Sequence, residues 1–165
     1  GKILAYEESI RVPLLIRCPG IPKGQTRNQL VNNLDVVATI EELAKLTPGR
    51  APDGLSLTPL FKNPNAAWRT ALLVQGMDVI PKKPHLYGRF QAIRTNNYKY
   101  VEHNGSFFGF ERELYNLAAD PYELESKHND PTYTGVMADL HGKLNVLKTC
   151  AGAKCWMTKP EPHLP

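Results

Sequence analysis

Two runs of aromatic and β-branched residues, Arg89 to Thr95 and Tyr98 to His103, are separated only by Asn96-Asn97. A connection of two residues suits a hairpin, in which both strands lie side by side and antiparallel. Asn104-Gly105 is a further turn, and Glu111 to Leu117 reads as a third strand, closed by Asp120-Pro121. Val136, Met137, Leu140, Leu144 and Leu147 then recur at helical spacing, which predicts a helix over Thr134 to Thr149, weakened by Gly135 and Gly142. A small antiparallel sheet packed with a C-terminal helix is the expectation for residues 76–165. Met77 to Gly88, with Lys82, Lys83, His85 and several Pro and Gly, reads as a loop entering it.

Residues 1–75 have a different texture. Val12 to Cys18 is a short apolar run between Pro13 and Pro19-Gly20, expected to be a buried strand. Pro22 to Thr26 is a turn cluster, and Asp35 stands before an apolar stripe at Val36, Val37, Ile40, Leu43 and Ala44. That predicts a helix packed on one face, N-capped by Asp35 and ended by Pro48-Gly49. Asp53-Gly54 turns the chain, and Ala71 to Val74 reads as a second strand by composition. The block holds too few strand-helix repeats to build a sheet covered on both faces, so its missing cover is expected from chain outside this sequence.

A formal charge of +4 and a pI near 9.0 fit anionic substrates through long-range attraction. No dense basic face or recognisable module points to nucleic acid. No apolar run approaches the roughly 20 residues that span a bilayer, and no signal peptide is visible. Cys150 and Cys155 flank Ala151-Gly152-Ala153-Lys154, a small-residue loop that can bring the sulfurs together. Two thiolates without further ligands do not complete a zinc site, so a disulfide is the better reading. It points to an oxidising compartment: extracellular, periplasmic or lysosomal. Cys18, left unpaired after an apolar run, is expected to be a buried and inert thiol.

The opening Gly1-Lys2-Ile3-Leu4-Ala5-Tyr6-Glu7-Glu8-Ser9-Ile10-Arg11 places Lys2 four residues before a Tyr-Glu pair. Arg17-Cys18-Pro19-Gly20-Ile21, Asn33 to Ile40 and Asp53-Gly54-Leu55-Ser56-Leu57 follow in order. So do Ile93-Arg94-Thr95-Asn96-Asn97-Tyr98-Lys99-Tyr100, Glu113 to Leu117, and Asp120-Pro121-Tyr122-Glu123-Leu124. This ordered set resembles the sulfatase family, formylglycine-dependent hydrolases of the alkaline-phosphatase-like superfamily. Val12 to Leu60 looks most like members acting on glucosamine 6-sulfate groups. The resemblance implies an α/β fold: the end of an alkaline-phosphatase-like domain, residues 1–75, followed by the small sheet and helix. It also implies that the chain corresponds to the C-terminal portion of a longer enzyme, with the N-terminal sulfatase region as its partner.

In that family a lysine at the position of Lys2 reaches the sulfate, so Lys2 is the candidate catalytic and substrate-binding residue. An ammonium there stabilises negative charge as it moves onto the leaving oxygen. Tyr6, Glu7 and Arg11 are expected to support it, through a Glu-Arg ion pair that orients the loop. His85 is a second candidate for substrate contact at the pocket rim. The resemblance further implies Ca²⁺ or Mg²⁺ in the full-length enzyme, but no Asp and Asn cluster here reads as such a site. The formylglycine motif, Cys/Ser-x-Pro-x-Arg, is also missing; Cys18-Pro19-Gly20-Ile21-Pro22 fails its spacing. By itself the chain is therefore expected to be inactive. The expected substrates are sulfated carbohydrates or aryl sulfates. Two other readings stay open: a phosphodiesterase or phosphonate hydrolase of the same superfamily, and a non-catalytic module that binds anionic glycans or packs on a partner.

Overall fold

The computed structural model describes residues 4–76, 89–105 and 109–163. Its centre is a meander of four antiparallel strands: β1 (Ala71–Gly76), β2 (Arg89–Thr95), β3 (Tyr98–Gly105) and β4 (Gly109–Asn116), adjacent in that order. The β2–β3 hairpin turns at Asn96-Asn97 as expected, although neither Asn adopts a positive φ. Thr95 closes the turn instead: its Oγ1 accepts the Tyr98 N–H at 3.0 Å and donates to the Tyr98 carbonyl. Glu161 then caps it from outside, accepting from Asn97 Nδ2 at 2.7 Å. β1 carries the sheet back to Ala71, ahead of the division expected at 75/76.

Side chains alternate between the two faces of the meander, as strand geometry requires. One face presents Ala71, Ile93, Tyr98, Tyr100 and Leu114 to helix α4 (Thr134–Lys148), which lays Val136, Leu140, Leu144 and Leu147 upon them. This is the principal core, and α4 falls within one residue of its expected span. A short helical turn, Gly152–Cys155, follows α4, and the Cys150–Cys155 disulfide closes it with the Cα atoms 5.2 Å apart. The turn is clipped to the first half of the chain: Gly152 N–H donates to Asp53 Oδ1 at 2.6 Å and Trp156 Nε1 to the Asp53 carbonyl at 3.1 Å. The Thr70 N–H donates to the Met157 carbonyl at 2.7 Å, so the tail runs beside the start of β1.

The first half differs from expectation in several places. Residues 11–18 form no strand, and Val12, Leu14, Leu15 and Ile16 are exposed, Leu15 to 89%. A strand needs an edge to pair with, Pro13 removes one donor, and no described strand runs alongside. Cys18 is accordingly half-exposed rather than buried. Helix α2 (Asn33–Leu43) exists, but its N-cap is Asn32, whose side chain accepts the Leu34 and Asp35 N–H groups. Asp35 sits three residues on and returns a bond to the Asn32 N–H at 2.8 Å, a reciprocal capping box. The helix ends at Leu43, before Pro48-Gly49. Lys45 takes a left-handed φ of 55°, and Leu46 N–H reaches back to the Glu41 carbonyl at 2.9 Å.

The faces of α2 are also inverted relative to its apolar stripe. Asp35, Ala38 and Thr39 are buried, whereas Leu34, Val37, Ile40 and Leu43 are exposed. Hydrogen bonding explains the buried side: Asp35 Oδ1 accepts the Leu55 N–H at 2.7 Å and Thr39 Oγ1 the Leu57 N–H at 2.8 Å. These bonds stitch residues 53–57 and helix α3 (Thr58–Lys62) onto α2. Gly54 makes the close approach possible, since a Cβ there would lie 2.3 Å from the Leu34 carbonyl oxygen.

Candidate functional site

The sheet face opposite α4 carries the residues that bear on the Lys2 segment. Leu4 to Ile10, with the short helix α1 (Glu7–Ile10), crosses this face. Ala5 is buried against Phe90, Ala92 and Val101, and Tyr6 meets the edge of Tyr115 with ring centroids 6.2 Å apart. Alternation along β2 and β3 turns Arg94 and Lys99, which pair across the hairpin, toward the same face.

Those two cations grip the segment. Lys99 is fully buried; its Nζ donates to the Ala5 carbonyl at 2.6 Å, lies 3.5 Å from Glu7 Oε1, and pairs with Glu123. Arg94 binds the Glu7 carboxylate with both ends of its fork, Nε to Oε1 at 3.0 Å and Nη2 to Oε2 at 3.2 Å. Glu123 completes the set by accepting the Glu7 backbone N–H at 2.6 Å. The buried Glu123 and the half-buried Glu7 thus face the buried Lys99 and the half-buried Arg94, so each charge has a partner of opposite sign. Burial alone would raise the Glu7 carboxyl, but the Arg94 fork and Lys99 outweigh it and hold Glu7 below its ordinary range.

A second cluster lies further along the same face. His103 Nε2 and Glu113 Oε1 are 2.6 Å apart, and the Tyr115 hydroxyl donates to Glu113 Oε2 at 2.6 Å. Burial pushes the Glu113 carboxyl up, but the His103 and Tyr115 hydrogen bonds outweigh it and hold Glu113 below its ordinary range. Burial and the neighbouring Glu113 carboxylate both push the Tyr115 phenol up, so it stays a hydrogen-bond donor.

Of the residues singled out from sequence, Lys2 and His85 lie outside the described residues. Tyr6 and Glu7 come together on the sheet. Arg11 is a correction: it is exposed, and the partners of Glu7 are Arg94 and Lys99. The reason is geometric, because α1 is a single turn and the sheet beneath it already offers two cations at the Glu7 carboxylate. Sequence reasoning missed Arg94, Lys99 and Glu123 as members of the site. A lysine between Tyr98 and Tyr100 in a strand was the available signal for one of them. Among the described residues no group of three or more His, Cys, Asp or Glu converges to hold a metal ion. The described residues therefore do not fit a divalent-cation site.

Residues 1–150 match the family described as N-sulphoglucosamine sulphohydrolase, C-terminal. The chain is 32% identical over 180 aligned positions to the N-acetylglucosamine-6-sulfatase of Bos taurus, covering 91% of this chain and 31% of that protein. An ulvan-active sulfatase of Formosa agariphila is 34% identical over 153 positions, covering 87% and 28%. A solved structure described as in complex with its substrate D-glucosamine-2-N,6-O-disulfate superposes with a TM-score of 0.67 at 25% identity, covering 76% of this chain and 25% of that one. A phosphonate monoester hydrolase of Agrobacterium radiobacter superposes with a TM-score of 0.58 at 26% identity, covering 69% and 24%. The chain thus spans about a third of the length of the curated relatives, 31% of the bovine protein.

Proposed function

Because the chain belongs to the sulfatase family, matching its C-terminal region, we propose that it serves in an enzyme that hydrolyses sulfate esters of sulfated sugars, with Lys2 contacting the sulfate group. The observation that carries this reading is the family match over residues 1–150, which takes in Lys2, the Tyr6-Glu7 pair and the sheet beneath that pair. A hydrated aldehyde carried by further chain of the enzyme would supply the nucleophile, and as the ester bond breaks negative charge moves onto the leaving oxygen. The Lys2 ammonium stabilises that charge, and Tyr6 and Glu7 hold the segment that bears it. Nucleophile and Ca²⁺ or Mg²⁺ come from further chain of the enzyme, since this sequence holds no Cys/Ser-x-Pro-x-Arg motif. His85 is proposed for substrate contact at the pocket rim.

The partner is the N-terminal sulfatase region. The exposed apolar residues Val12, Leu14, Leu15, Ile16, Val37, Ile40 and Leu43 support this, as side chains that a covering partner would bury. The Cys150–Cys155 disulfide supports an extracellular, periplasmic or lysosomal setting. No helix among the described residues is long and apolar enough to cross a membrane.

Kinetics on the enzyme that contains this chain test the assignment. Lys2→Ala is expected to lower kcat about 10²-fold with a smaller change in KM, because the charge it meets grows in the transition state. Lys2→Arg is expected to restore little, since a planar fork does not occupy the site of a point charge. Near-wild-type turnover in Lys2→Ala removes the assignment. Faster hydrolysis of a phosphonate monoester than of a sulfate ester would favour the reading suggested by the Agrobacterium neighbour.

A further inference from the structure

Resting on the assignment of Lys2, we infer that Lys99, Glu123 and Arg94 are positioning residues that clamp Ala5 and Glu7 to the sheet and thereby set where Lys2 stands. Within residues 4–10 the backbone hydrogen bonds run only between neighbours, such as Ser9 N–H to the Tyr6 carbonyl at 2.8 Å. Among the described residues none joins this backbone directly to a strand. Attachment depends on side chains: Lys99 holds the Ala5 carbonyl, Glu123 holds the Glu7 N–H, and Arg94 with Lys99 holds the Glu7 carboxylate.

Apolar contact of Ala5 with Phe90, Ala92 and Val101 fixes how deep the segment sits. It leaves the position along the strands open, because hydrophobic burial has no direction. The hydrogen bonds supply that coordinate. Apolar residues of similar volume would often stabilise as well as a buried ion cluster. What they cannot do is hold two backbone groups and one carboxylate at set distances. Glu123 takes a left-handed φ of 58°, uncommon for a side chain of its size, and that conformation accompanies a carboxylate aimed into the cluster. Lys2 stands three residues before Ala5. The chain between them spans at most roughly 11 Å even when fully extended, so the reach of Lys2 is limited by that anchor.

A double-mutant cycle in the enzyme containing this chain, with an aryl sulfate as substrate, tests the inference. Glu123→Ala is expected to lower kcat by about 10-fold to 10²-fold with a smaller change in KM, since displacing a reacting group by about 1 Å costs that much. In a Lys2→Ala background the same change is expected to cost about twofold or less, because the group it positions is gone. Glu123→Gln keeps an acceptor for the Glu7 N–H and nearly the same volume. It serves where Glu123→Ala does not accumulate as folded enzyme, with a smaller loss that again vanishes in the Lys2→Ala background. An equal factor in both backgrounds overturns the inference and leaves the Lys2 assignment standing. Unchanged kcat in both Glu123 variants does the same. Unimpaired Lys2→Ala enzyme overturns the assignment and the inference together.

Discussion

The guanidinium of Arg69 donates from Nη2 to Oδ1 of Asp35 with both side chains out of solvent, exposed to 2% and 0%. The two are 34 residues apart in sequence. Asp35 opens helix α2 and Arg69 immediately precedes the approach to β1, so this pair ties the helix to the sheet. The same carboxylate receives the Leu55 and Asn32 N–H groups, and the Arg69 guanidinium lies 5.5 Å from the Trp68 ring centroid.

Arg69→Ala should therefore destabilise by about 3–5 kcal/mol, because it leaves an uncompensated buried carboxylate. Asp35→Leu combined with Arg69→Met should cost less than the sum of the single changes. Denaturant melts of the three variants decide the matter. Additive losses would mean that the pair is not coupled.

Gly54→Ala tests the contact between α2 and the loop behind it. The new methyl would meet main chain at 2.3 Å from the Leu34 oxygen, where no side chain can swing aside. We expect a loss of about 2–3 kcal/mol, in the range of overpacking. A change within about 0.5 kcal/mol in thermal or denaturant melts would show that the backbone relaxes freely.

Acid should loosen the segment on the sheet. The Glu7 carboxyl is held below its ordinary value of 4.5 in the fold, so its contribution is complete above 4.5 and is lost as pH falls through the lowered value. Glu102 and Glu113 are lowered as well and add in the same direction. Glu7→Gln should be less stable than wild type at neutral pH and show a shallower fall in stability below pH 4.5. Parallel stability profiles for the two proteins would refute this.

Thiol counting under denaturing, non-reducing conditions should find one free thiol, Cys18, which should also react in the native protein because it is half-exposed. Replacing both Cys150 and Cys155 by Ser should cost about 2 kcal/mol, the constraint of so short a loop on the unfolded chain. Three free thiols in the protein as isolated from its source would exclude the bridge.

The outward face of α2 provides a fifth test, in the protein that contains this chain. If the N-terminal region covers Ile40, then Ile40→Glu buries an unpaired charge and should cost at least about 3 kcal/mol. A solvated Ile40 would tolerate the change within about 0.5 kcal/mol.

Regular, local features were legible in the sequence. The β2–β3 hairpin, the strand β4 and helix α4 follow from alternation, a short turn and a helical stripe, each an interaction between residues close along the chain. The Cys150–Cys155 bridge follows for the same reason. Arg94 and Lys99 stand within a motif, but their role depends on Glu7, 87 and 92 residues away, which itself lies 116 residues from Glu123. No local pattern encodes such a separation.

Sequence alone determined the antiparallel order of the C-terminal strands, the helix that covers them, and a family membership carried by spaced motifs. Tertiary structure decided which charges meet and which apolar residues are covered. Val36, Val37, Ile40 and Leu43 form a proper helical stripe, yet α2 buries Asp35 and Thr39 instead. Periodicity states that a helix has two faces. Which face turns inward is settled by the partners available to it, and here buried hydrogen bonds from Leu55, Leu57 and Arg69 outweigh apolar area that nothing described in this chain covers.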